Sequence, residues 1–165
     1  MADSHHHMLL ITFASAPAAR PAYEEAVGLP GLQQAAVLER SPEGLLDVPE
    51  SHVAGAGVTT AGAGLAGGLL GLLGGPIGVF IGAAAGVALG NAAEEGWAQE
   101  GGAGMIMLSS RVEDGAALLI VDLRESDPQP ADDLARRHGG TLQRLTAKEF
   151  ASQLRAAERA AGETT

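Results

Sequence analysis

Ala116-Ala117-Leu118-Leu119-Ile120-Val121-Asp122-Leu123 is an eight-residue apolar run with a β-branched centre, preceded by Asp114-Gly115 and followed by Arg124-Glu125. A short continuous apolar run between turn and charge signals suits a buried strand, and this one is predicted to lie at the centre of a sheet. Downstream, Pro130 to His138 suits a short helix, with Asp132 and Asp133 in its first turn and Arg136 and Arg137 in its last, complementing the helix dipole. Gly139-Gly140 ends it. Thr141 to Leu145 then reads as a strand, and Ala147 to Ala161 as a charged, alanine-rich helix.

The amino-terminal side repeats the order. Met8 to Phe13 is a β-rich run, Pro17 to Val27 a helix closed by Gly28, and Gln33 to Arg40 and Gly44 to Val48 flank Ser41-Pro42-Glu43-Gly44, whose turn chemistry suits a hairpin. Strand, helix, strand, insert, strand, helix, strand predicts an α+β fold. Its arrangement is that of a ferredoxin-like βαβ-βαβ sandwich, with residues 8–52 and 94–146 as the halves, 53–93 inserted and 147–165 as a carboxy-terminal helix and tail.

The insert is a different material. From Val53 to Ala93 there is no Asp, Glu, Lys, Arg or His, while all thirty acidic and basic residues lie in the other 124 positions. Gly78, Gly82, Gly86 and Gly90 recur every four residues, and Gly67, Gly71 and Gly75 do the same in a preceding arm, extended by Ala63. Such spacing lines one helix face with small residues, so a second helix backbone can approach closely. Leu65, Leu69, Leu70, Leu72 and Leu73, then Ile77, Val79, Phe80, Ile81, Val87 and Leu89, put bulk beside the stripe, and Gly74-Gly75-Pro76 marks a reversal. A helical hairpin with a glycine zipper on each arm is predicted. A flexible linker would carry serine and charge instead.

Glycine in a helix costs roughly 1 kcal/mol relative to alanine, so these arms need an environment that offsets several kcal/mol. Packing against other copies supplies it, and so does lipid. A membrane hairpin is disfavoured by length and charge. Val53 to Leu73 has 21 residues but Ile77 to Gly90 only 14, against ~30 Å of hydrocarbon. The flanks carry Asp47, Glu50, Glu94, Glu95 and Glu100 where membrane spans favour Lys and Arg.

The stretch from Ala63 to Gly90, with Gly115 to Leu123 and His138-Gly139-Gly140-Thr141-Leu142, resembles the bacterial family described as domain of unknown function 1269. The likeness covers most of residues 8–145. It implies a ferredoxin-like domain carrying the hairpin as an insertion, in proteins described as predicted membrane proteins on the strength of that hairpin, and it supplies no catalytic residues.

The net charge of -10 disfavours nucleic acid and anionic membrane surfaces. Without cysteine there is no disulfide framework, thiolate ligand or thiol nucleophile. Met8 to Ile11 is too short for a signal peptide and follows no basic segment, so a cytoplasmic setting is expected. His5-His6-His7 is read as an appended tract at a disordered start. His52 and His138 are isolated, Ser109-Ser110 and Thr59-Thr60 lack a base, Asp132 and Asp133 are first-turn carboxylates, and Tyr23 and Trp97 are packing anchors. No enzyme, cofactor or metal site is expected.

These readings converge on a homo-oligomeric structural protein whose hairpins pool into an apolar core through Gly67, Gly71, Gly75, Gly78, Gly82, Gly86 and Gly90, with acidic α/β domains outside. Its partner is itself. A membrane-embedded regulator or pore, and a carrier of lipid or apolar small molecules between the hairpins, are the competing expectations.

Overall fold

Strand β5 (Ala117–Glu125) lies between β1 (His5–Phe13) and β2 (Leu32–Arg40), as the apolar run predicts. It pairs antiparallel with both, from His5 opposite Glu125 to Phe13 opposite Ala117 on one side, and with Ala35 opposite Val121 and Val37 opposite Leu119 on the other. The computed structural model describes residues 5–54, 59–61, 108 and 110–162. With β3 (Leu46–Val53), β4 (Thr59–Ala61) and β6 (Thr141–Thr146), the strands form one antiparallel sheet of six in the order β4-β3-β2-β5-β1-β6. Helices α1 (Ala16–Ala26), α2 (Gln129–Arg137) and α3 (Ala147–Gly162) complete an α+β fold.

Both faces of the sheet are buried. Leu9, Ile11, Phe13, Val37, Leu119 and Val121 point toward α1 and α2 and pack with Ala19, Tyr23 and Leu134. Met8, Leu10, Leu38, Leu118 and Ile120 point the other way, into a cluster with Val48, Leu108, Val112 and, from α3, Phe150. This explains why β5 reads as a continuous apolar run, since a strand covered on both sides has no polar face to alternate with. The carboxy-terminal helix thus packs against the sheet through Phe150.

Local chemistry sets the element ends. Ser41 Oγ accepts from the Glu43 and Leu45 amides, each at 3.2 Å, and Gly44 adopts φ +87° to close the β2–β3 hairpin. Pro49 has no amide hydrogen to donate, and the pairing shifts register opposite it, between Val37 and Glu39. Thr146 and Glu149 form a reciprocal cap at the start of α3: the Glu149 amide donates to Thr146 Oγ1 at 3.1 Å, and the Thr146 amide donates to Glu149 Oε2 at 2.8 Å. Donation from the Thr146 amide, and then from the Thr146 hydroxyl, holds the Glu149 carboxyl below the usual range. Gly31 (φ +80°) brings its backbone against β5, where an added Cβ would lie 1.9 Å from the Arg124 carbonyl oxygen.

Two expectations need correction. Strand β1 begins at His5 rather than Met8, because the histidine tract continues the β1 ladder against Leu123, Arg124 and Glu125 and its imidazoles meet carboxylates on β5. Residues 53 and 59–61, expected in the inserted hairpin, are strand. Strand β3 continues through Val53, and Thr59–Ala61 pair with His52, Ser51 and Glu50 as β4. β-Branched threonine suits this pleated position.

Candidate functional site

The glycines expected to carry helix packing, Gly67, Gly71, Gly75, Gly78, Gly82, Gly86 and Gly90, all lie outside the described residues, as do Trp97 and Ser109. What the structure describes is the base from which that span departs and to which it returns. The departure is β4 at the outer edge of the sheet, held only through β3. The return is Leu108, fully buried with Val112 and Val48 in the same cluster as Phe150. Arg111 secures it, donating to Gln143 of β6 and, at 3.1 Å, to Gln153 Oε1 of α3. Behind it, Gly115 and Arg40 exchange a backbone hydrogen bond of 2.9 Å, and Arg40 Nη1 lies 3.7 Å from Asp114 Oδ1. On the near side Thr59–Ala61 are paired into the sheet, and on the far side Leu108 is packed against it.

The titratable residues singled out from the sequence are mostly paired. His138 Nε2 lies 2.6 Å from Glu25 Oε2, and Arg137 donates to the same carboxylate, so α1 and α2 are joined by one three-residue clasp. Asp132 lies 2.9 Å from Arg144 Nη2, and Asp133 accepts from Arg136. Two carboxylates committed to separate arginines are not an acid/base couple. Asp132, Arg136 and Arg144 line an open cleft of about 590 Å³ between α2 and β6, bounded by Ala135, Gly140 and Leu142, in which both arginines are already engaged.

The histidine tract forms a polar end to the central strands. His6 Nε2 contacts Asp122 Oδ1 on the α3 side, and His7 Nδ1 lies 2.9 Å from Glu125 Oε1 on the other, though not at a hydrogen-bonding angle. Arg144 also binds Glu125, which offsets the desolvation of that buried carboxylate. Among the described residues no three His, Asp or Glu side chains are arranged to hold a metal ion.

A second polar group was not anticipated. Glu39 and Asp47 stand directly opposite one another on β2 and β3, with Glu50 opposite Val37 on the same, α1-facing side. Arg20 of α1 reaches toward them, its Nη2 3.7 Å from Glu50 Oε1 and its Nε 3.6 Å from Glu24 Oε1. Beside this group Tyr23 is 3% exposed, and its hydroxyl is buried without a hydrogen-bond partner. Burial, and then the Glu50 charge, push that hydroxyl up to about 12. Burial, then Asp47 and Glu50, also raise the Glu39 carboxyl, against a smaller lowering by Arg20. Tyr23 is the packing anchor the sequence suggests, with an unsatisfied polar tip. The clue in the sequence was that Glu39 and Asp47 flank the Ser41–Leu45 turn.

Among the described residues no helix is long and apolar enough to cross a membrane. No protein-family model matches the chain, and comparison with curated proteins and with solved structures finds no match either.

Proposed function

We propose that this chain is a non-enzymatic, self-assembling structural protein, in which the uncharged span forms glycine-zipper hairpins that pool into an apolar core and the acidic α+β domains form the outer layer. One observation carries the reading. The described residues bury their bulky apolar side chains, leaving Leu45 as the large hydrophobic exposed among them, while the stretch from Leu65 to Leu89 concentrates eleven bulky apolar side chains beside two rows of glycine. Association driven by apolar burial then falls to that span.

The strand order supports a ferredoxin-like reading: β1 and β5 are the central pair, flanked by β2 and β6, with α1 joining β1 to β2 and α2 joining β5 to β6. On this view β3 and β4 are an edge extension leading into the insert, as the resemblance to domain of unknown function 1269 implies. A soluble, cytoplasmic assembly is favoured over a membrane hairpin by the position of β4. With Thr59–Ala61 in the sheet, residues 62–73 leave twelve residues for a first arm, about 18 Å of helix against ~30 Å of hydrocarbon.

The test is the mass of the detergent-free protein by light scattering after size exclusion, for the parent chain and for Gly71→Leu and Gly82→Leu. A discrete multi-subunit mass that falls in the variants is expected. An unchanged mass in both variants would sink the zipper account, and recovery only in detergent would favour the membrane hairpin.

A further inference from the structure

We propose that the flank of the sheet beside α1, where Glu39, Asp47 and Glu50 share one face, is a binding site for an alkylammonium group that two of these carboxylates hold, with the Tyr23 hydroxyl at its floor. Like charges directly opposite on neighbouring strands repel, and the Glu39–Asp47 pair is such an arrangement with a third carboxylate on the same face. The nearby cation is a poor occupant. Arg20 is 68% exposed, divides itself between Glu24 and Glu50, and stays beyond hydrogen-bond distance of both, at 3.6 and 3.7 Å.

The buried hydroxyl is the independent sign. Tyr23 is 97% withdrawn from solvent (3% exposed), and its oxygen has no partner, although burying an unpaired hydroxyl costs free energy that a phenylalanine would not. An ammonium head has three rotatable donors on a thin alkyl stem, so it reaches two carboxylates and the hydroxyl lone pair together once Arg20 swings aside. A planar guanidinium is broader, and Arg20 does not reach the hydroxyl. A bare metal ion is the poorer match, because no three acidic or histidine side chains among the described residues are arranged to ligate one.

The ammonium has two sources, a free amine or a lysine. Lys148 is the only lysine in the chain and is exposed at the start of α3. That helix follows β6, at the sheet edge remote from β3, and packs on the opposite face, so a lysine occupant comes from a second copy.

The experiment is calorimetric titration of the full chain with n-butylammonium chloride at pH 7, against sodium chloride at equal ionic strength. One site per chain is expected. Affinity should fall roughly 10- to 100-fold in Glu50→Gln, as for loss of a charged hydrogen-bond partner, and measurably in Tyr23→Phe. The exposed turn variant Glu43→Gln should leave affinity unchanged. Asp47→Asn, at an exposed position, makes the same test if Glu50→Gln misfolds. In Lys148→Gln, tighter binding identifies a second copy as the natural source and unchanged binding identifies a free amine. Heats equal to those of sodium chloride, or equal binding by parent, Glu50→Gln and Asp47→Asn, would overturn the site and reduce the effect to general attraction by the -10 charge.

Discussion

Replacing Tyr23 with phenylalanine should stabilise the amine-free protein at neutral pH and remove its main weakness in alkali. The hydroxyl is buried and unpartnered, so removing it relieves a desolvation cost of about 1–3 kcal/mol while leaving the ring's packing against the α1-side core in place. Allowing for the small gap left behind, a gain of about 1 kcal/mol is expected at pH 7. The alkaline limb is more diagnostic. The folded chain holds the phenolic proton up to about 12, whereas an unfolded tyrosine releases it near 10. The folded state therefore binds the proton more tightly. Its stability is unaffected below pH 10 and declines between pH 10 and 12, by about 2–3 kcal/mol in all. Urea midpoints followed by circular dichroism should differ by the same amount at pH 7 and 9 and by more at pH 11, with phenylalanine flatter. Because Tyr23 is the only tyrosine, ultraviolet titration of the phenol reads this group directly. Titration near 10 in the folded protein, or a loss above 1 kcal/mol in Tyr23→Phe at pH 7, would show that the hydroxyl is solvated or bonded and refute the reasoning.

Three further substitutions test the framework. Thr146→Ala removes the oxygen that accepts the Glu149 amide and should cost about 1 kcal/mol, read as a lowered urea midpoint, with Thr146→Ser recovering most of it. Gly31→Ala meets both a φ of +80° and the Arg124 carbonyl 1.9 Å from the new Cβ, and should cost about 3 kcal/mol or more; a variant within 1 kcal/mol of the parent would mean the α1–β2 loop shifts freely. Glu39→Gln should stabilise at pH 7. The raised Glu39 carboxyl makes the folded state the better proton binder, so its contribution is best in acid and declines as pH rises through its folded value; the parent's advantage should return only at low pH.

Much of the sheet was legible because burial on two faces leaves a continuous apolar run, and α2 because its charges are sorted along its dipole. Helix α3 was read from its alanine and charge content, and the capping pair Thr146 and Glu149 at its start was not. The histidine tract was misread for the opposite reason. The partners that make a strand of it, Asp122 and Glu125, lie more than a hundred positions away, and no local pattern links them. The acidic flank was hidden by the register shift opposite Pro49, since a regular hairpin would have put Glu39 against a different part of β3. Strand β4 was hidden by composition, because three residues inside an uncharged glycine-rich span carry too short a pattern to compete with the four-residue glycine spacing that follows in the sequence.

The closing of the second sheet face narrows where copies of the chain can meet. A sheet backed by α1 and α2 alone would offer its other side for association, but here Phe150 of α3 and the returning Leu108 and Val112 occupy it, secured by Arg111 through Gln143 and Gln153. The edges are what is left, and they are unlike. At the β6 edge stand α2 and its ion-paired arginines, a surface suited to water. At the opposite edge is β4, from which the uncharged span departs. In the proposed assembly, with the β4 edge turned inward, α2 and β6 lie outward. This arrangement is the geometric reason for placing the acidic domains on the outside of the proposed particle.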